Sequence, residues 1–206
     1  MAGVTTNYSF NYPTSTDLVK DGATAIQTLA TNVDTTLFTA LGGAYPGLRL
    51  IKKQTVGSAV ASVTVTGAFS ATYENYKILY VGGTTSTPIG INGGLSGSAT
   101  GYYNSLIYCS FANTSVLASN NNNGTAWTFF GYGTADNNAV NVDILSPFAA
   151  KKTAFSCPQM QVATGGASGF NSGFHNSATS YTDFFLTPAS GTLTGGTIYV
   201  YGYGAS

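Results

Sequence analysis

Charged side chains are scarce in this sequence: 7% of 206 residues, with seven Lys and Arg against seven Asp and Glu, where ordinary soluble domains carry about 25%. A neutral chain without a basic run has no electrostatic footprint for nucleic acid, phosphate groups or an anionic membrane. Histidine occurs once, at His175, and cysteine twice, at Cys109 and Cys157. One imidazole and two distant thiols cannot close a zinc site, and TADNNAVNVD (134–143) lacks the Gly turn and final Glu of a calcium loop. No metal and no cofactor are expected. The thiols sit in apolar contexts, LIYCSF and AFSCPQM, and read as buried, reduced cysteines; nothing supports a disulfide.

Long apolar runs are missing as well. No stretch approaches the roughly 18 apolar residues of a membrane span, and the start has no basic segment followed by an apolar one. The expectation is a soluble chain made in a cytoplasm, with no membrane insertion. Catalytic sets are equally thin: Asp136, Asp143 and Asp183 lie in separate segments with no signature spacing to His175. GYGTAD (131–136) lacks the third glycine of a dinucleotide fingerprint, and the glycosylation patterns at Asn113 and Asn123 carry nothing without a signal peptide. The chain does not read as an enzyme.

What the sequence does hold is glycine (26), tyrosine (14) and phenylalanine (12), set among Thr, Ser and Asn. Such a mixture suits short strands and tight turns, with aromatics filling a core. The main domain is expected to be all β, an antiparallel sandwich or jelly roll over 56–206. Strand patterns run through VASVTVTGAF (60–69), YKILYVGGTT (76–85), INGGLSGSATGYYNSLIYCSF (91–111), AWTFFGYG (126–133), NAVNVDILSPF (138–148), TAFSCPQMQVA (153–163), YTDFFLTPASG (181–191) and GTIYVYGYG (196–204). Two loops stand out: the hairpin tip SNNNNGT (119–125) and the flexible TGGASGFNSGFHNSATS (164–180).

One stretch departs from this pattern. In residues 16–41, Val19, Ala23, Ile26, Ala30, Val33, Leu37 and Ala40 follow one another in alternating steps of four and three, the a/d seam of a coiled coil. Thr14, Ser15 and Thr16 supply capping hydroxyls, Asp17 complements the helix dipole, and Gly42 and Gly43 stop the helix. Small seam residues and many threonines make it too weak to stand alone. It either packs on its own C-terminal domain or winds with copies of itself, and the seam favours the second. Residues 1–15 form an arm whose Tyr8, Phe10 and Tyr12 alternate with polar groups and are costly to leave exposed, so the arm is expected to dock. Residues 42–55 form a hinge and a first strand, with Arg49, Lys52 and Lys53 marking a solvated edge.

Recognition without charge leaves aromatic faces and amides, the groups that hold sugars. The candidate glycan-binding set is Tyr102, Tyr103, Asn104, Asn121, Asn122, Phe174 and His175; Trp127 is expected in the core.

The segment NYSFNYPTSTDLVKDGATAIQTLATNVDTTL resembles the opening of minor tail and fibre proteins of tailed bacteriophages, in which a short aromatic arm precedes a DLVKDGA-type helix. GAFSATYENYKILYVGG (67–83), INGGLSGSATGYYNSL (91–106) and LTPASGTLTGGTIYVYGYG (186–204) are similar to the C-terminal β-sandwich of that family. The resemblance implies a homotrimeric virion protein assembled in the host cytoplasm. Its arm would attach to other virion proteins, its seam would hold the trimer, and its distal sandwich would bind a host surface polysaccharide. A head fibre or capsid decoration protein is the alternative, and a glycan depolymerase a third reading disfavoured by the scattered carboxylates.

Overall fold

The structure is a computed structural model and describes residues 3–6, 10–12, 14, 19–40 and 47–204. The chain divides into two compact units, residues 1–47 with 204–206, and residues 48–203.

In the first unit, strands β1 (Gly3–Val4) and β2 (Asn11–Tyr12) pair antiparallel, Gly3 opposite Tyr12. Helix α1 spans Val19–Ala40. Thr28 and Thr31 turn their hydroxyls back onto the carbonyls of Thr24 and Gln27, so part of its threonine content is satisfied within the helix. Of the expected seam, Ala23, Ile26, Ala30 and Leu37 are exposed and Val33 is half-buried; Ile26 is 63% and Leu37 57% exposed. The proposed caps Ser15, Thr16 and Asp17, the stop Gly42–Gly43 and Tyr8 lie outside the described residues. Phe10 is half-buried and Tyr12 exposed.

The second unit is antiparallel β throughout. Its strands are β3 (Leu48–Thr55), β4 (Val63–Val65), β5 (Asn75–Val81), β6 (Thr84–Thr85), β7 (Ile89–Leu95), β8 (Tyr102–Ser110) and β9 (Val116–Gly124). They continue with β10 (Trp127–Gly133), β11 (Asn138–Leu145), β12 (Ala154–Met160), β13 (Ala167–His175), β14 (Phe184–Pro188), β15 (Leu193–Thr194) and β16 (Thr197–Tyr203). One layer runs β3-β16-β5-β11-β12-β13-β8-β9 and the other β4-β14-β7-β10. They are joined where β10 pairs with β11, Tyr132 opposite Ala139 and Gly133 opposite Asn138. β6 and β15 form a separate pair.

Alternation places the core. Tyr76, Ile78 and Tyr80 on β5, Val140, Val142 and Ile144 on β11, and Ile198 and Val200 on β16 all turn inward and are buried. Trp127 is fully buried, stacked on Phe130 at 5.7 Å, edge-on to Tyr102 at 5.0 Å and close to Phe155 at 4.9 Å. Its indole N–H donates to the Phe174 carbonyl at 3.1 Å, so the ring's polar atom is satisfied as well. Among the described residues the cationic strand β3 pairs only with β16 and forms an edge, a place where charge discourages strand addition. Both cysteines are free; burial pushes the Cys157 thiol up to about 12, while Cys109 is only half-buried.

Most of each expected loop is strand. Val116–Gly124 pairs along β8, and only Asn123 in the asparagine run takes a positive φ (58°). Ala167–His175 is a central strand between β12 and β8. Its glycines fit there because the backbones approach closely: a Cβ on Gly173 would lie 2.0 Å from the Tyr103 carbonyl oxygen, and one on Gly169 2.1 Å from that of Ile107.

Candidate functional site

Period two divides the expected sugar-binding residues between the faces of β8 and β13. Tyr102, Asn104 and His175 point inward, and Tyr103 and Phe174 outward. Three of the seven candidates are therefore inside the protein, each for a reason in the local backbone.

Strand β10 bulges between Trp127 and Gly131 where it pairs with β7, and Phe129 takes φ 52°. The bulge takes Thr128 and Phe129 out of the ladder. Two buried amides take over. Asn104 accepts from Thr128 N–H at 3.0 Å and donates to the Thr128 carbonyl at 3.3 Å. Asn171 donates to the carbonyls of Thr128 and Phe129, both at 2.8 Å, and accepts from the Asn104 amide at 3.1 Å. Asn104 pins the bulge from the inner face and also borders the groove beside Tyr103.

His175 is 1% exposed. Its Nε2 lies 3.0 Å from the Thr100 carbonyl and 2.8 Å from Ser98 Oγ. A carbonyl only accepts, so Nε2 carries the proton, and Nδ1 faces the Tyr181 hydroxyl at 3.5 Å. Burial holds the imidazole pKa below its ordinary value, opposed by the hydrogen bond to Thr100. Tyr102 is fully buried; its hydroxyl donates to the Leu95 carbonyl at 3.0 Å and accepts from Leu95 N–H at 2.8 Å. Burial raises the phenol's pKa.

Tyr103 and Phe174 meet on the outer face of β12, β13, β8 and β9, with Asn122 exposed beside them. Register sets Ala154, Phe174 and Tyr103 in one row, and Ser156, Ser172, Ser105 and Asn120 in the next. Pro158, Phe170, Ile107 and Ala118 make a third. A hydroxyl and amide stripe thus lies between two apolar ones. Phe174 stacks on Tyr103 with ring centroids 5.0 Å apart and planes within 6°, and Lys152 Nζ lies 5.7 Å from the Phe174 centroid. Phe174 is exposed and Tyr103 half-buried, and both rings border open space.

That space is a shallow groove of about 330 Å³ between Tyr103 and Asn120–Asn122, floored by Ser105 and Ser172. Asn122 and Asn120 are exposed, whereas Asn121 turns its amide to the carbonyls of Ala126 (2.7 Å) and Tyr102 (3.3 Å) and holds the β9 turn. The groove offers two stacked rings, Tyr103 and Phe174, two serine hydroxyls and two exposed amides. No charged side chain lines it. Its lining suits a neutral, hydroxylated ligand.

Among the described residues no cluster of three or more His, Cys, Asp or Glu could hold a metal ion, and no helix is long and apolar enough to cross a membrane. Comparison of the chain with protein-family models, curated proteins and solved structures finds no match.

Proposed function

We propose that the chain is a structural virion protein: a homotrimeric phage tail fibre that attaches through its N-terminal arm and binds a host surface glycan through its distal domain. In this reading the two antiparallel layers are a jelly-roll-like β-sandwich, α1 is one strand of a trimeric coiled coil, and no bond is made or broken. The carrying observation is the bare seam. Ile26 and Leu37 stand more than half exposed on a helix too poor in propensity to persist alone, so copies of α1 supply the cover each lacks. Three linked copies of a weak, neutral groove would bind a repeating polysaccharide far more tightly than one.

The groove supports the ligand class. Tyr103 gives a flat face for sugar C–H groups, while Ser105, Ser172, Asn120 and Asn122 give donors and acceptors for hydroxyls. A depolymerase would need two carboxylates about 5–9.5 Å apart flanking a bond. Here Asp143 is tied to Lys77 at 3.3 Å and to the Tyr203 hydroxyl, and Asp183 accepts from Gly67 N–H at 2.9 Å. Each has structural work.

The exposed row Pro158, Phe170, Ile107 and Ala118 favours a second reading, a head fibre or capsid decoration protein that lies on a protein surface. Binding of purified trimer to host surface polysaccharide, compared with Tyr103→Ala, separates the two. Loss of binding in the variant supports the fibre. No binding by the unmodified protein refutes the glycan role.

A further inference from the structure

The sheet carries an internal fork remote from the groove. β11 pairs with β12 only from Leu145 opposite Ala154 to Asp143 opposite Ser156, then turns to β10 at Ala139 and Asn138. Continued, the β12 register would set Pro158 opposite Asn141 and Gln159 opposite Val140. Pro158 has no N–H to offer, and the ladder stops short of it.

The fork opens a cleft of about 620 Å³, within the range of ligand pockets. Leu79, Val81, Met160 and Val162 wall it, and no charged side chain lines it. Val81, Met160 and Val162 are exposed at its rim. Its polar lining is of a different kind. Gln159 is 1% exposed, yet neither its Oε1 nor its Nε2 has a hydrogen-bond partner. Asn138 is 5% exposed and spends its Oδ1 on Gly83 N–H at 3.3 Å, leaving Nδ2 unpartnered. Buried amides elsewhere in this chain, at Asn104 and Asn171, are fully engaged. Leaving polar atoms unmatched in an interior is costly unless something completes them.

We infer that the fork is a second binding site, independent of the groove, which takes an uncharged extended peptide segment with an apolar side chain. The Gln159 amide presents a donor and an acceptor side by side, the complement of the N–H and C=O of one residue in an extended strand, which flank its Cα and point to the same side. Asn138 Nδ2 supplies a second donor for the same carbonyl's other lone pair. The apolar walls suit a side chain such as valine, and beyond Ser156 strand β12 has a partner on one side only, the setting for strand addition. An acetylated amino sugar carries a single trans amide, whose N–H and C=O point opposite ways, and needs an aromatic face. The one ring lining the cleft, Tyr80, is buried with its hydroxyl bound to the Gly195 carbonyl at 2.8 Å.

The test is a titration of the isotope-labelled full chain, followed through the side-chain NH2 signals of Gln159 and Asn138. The probes are N-acetyl-valine-N-methylamide and N-acetylglucosamine. The expected result is saturable shifts of both signals with the blocked valine alone. Gln159→Met, which keeps the volume and removes the unmatched amide, should weaken this binding about tenfold, the equivalent of two neutral hydrogen bonds. Val81→Arg, at the rim, gives the same reading without touching the polar floor, and Tyr103→Ala should leave affinity unchanged. No saturable shift, binding undiminished in both Gln159→Met and Val81→Arg, or N-acetylglucosamine binding as well as or better than the peptide would each overturn the assignment. The first of these would mean that ordered water alone completes the amides.

Discussion

Replacing Asn171 by alanine tests whether buried amides, rather than a continuous ladder, hold β10 in place. The change removes three hydrogen bonds: two donated at 2.8 Å to the carbonyls of Thr128 and Phe129, and one accepted at 3.1 Å from Asn104. Thr128 O keeps a partner in Asn104 at 3.3 Å, so it is not orphaned. Phe129 O keeps only the Cys157 thiol at 3.8 Å, a weak donor, and is left nearly unsatisfied inside the protein. One such carbonyl costs about 1–3 kcal/mol, and the small void left at a fully buried site adds to it. The expected loss is about 2–4 kcal/mol, a fall in melting temperature of roughly 4–16 °C for a unit of this size. Urea unfolding followed by circular dichroism measures it, with the midpoint lowered and the m-value unchanged. Asn171→Asp should cost more, because a carboxylate would face two carbonyl oxygens with no hydrogen to give. Adding Asn104→Ala should give a non-additive loss, since the two amides share partners. A loss below about 0.5 kcal/mol in Asn171→Ala would mean that β10 is held by something other than these amides.

Further outcomes follow from the same geometry. Gly173→Ala should abolish or severely weaken folding of the second unit, because its Cβ would lie 2.0 Å from the Tyr103 carbonyl; a variant with wild-type thermal stability would contradict the close β8–β13 approach. His175 is held neutral by burial, its folded pKa below the unfolded value near 6.5. The unfolded chain therefore binds the proton first, and stability should fall as pH drops below about 6.5, by no more than about 1.4 kcal/mol per pH unit. Denaturation midpoints between pH 5 and 7 measure this, and an equal dependence in His175→Gln would assign it elsewhere. Ile26→Asp with Leu37→Asp should take the mass by light scattering from three times 21.2 kDa to one, with β-type circular dichroism kept. An unmodified chain that is already monomeric at micromolar concentration would end the coiled-coil proposal.

Strands with aliphatic or aromatic residues at every second position were legible in the sequence. Tyr76–Ile78–Tyr80 and Val140–Val142–Ile144 needed no partner to be recognised, because the pattern alone marks one buried face. Strands β9 and β13 were not, since SNNNNG and SGFNSG carry turn residues, and what makes them strands is pairing with β8 far away in sequence. Asparagine suits β9 as an edge strand, and glycine suits β13 because the neighbouring backbone comes so close. The site was half legible. Tyr102 and Tyr103 are adjacent on a strand and cannot both face one ligand; alternation with Leu106 already put Tyr102 and Asn104 on the core side. The bulge that gives Asn104 and Asn171 their partners depends on a positive φ at Phe129, a residue type that gives no warning of it.

A fibre that meets the host is best sought on the virion itself. Antibody raised against residues 48–203 is applied to intact particles, located by electron microscopy, and assayed for its effect on adsorption. A receptor-binding fibre gives label at the tail and blocked adsorption. Label spread over the capsid, or tail label that leaves adsorption untouched, would contradict it.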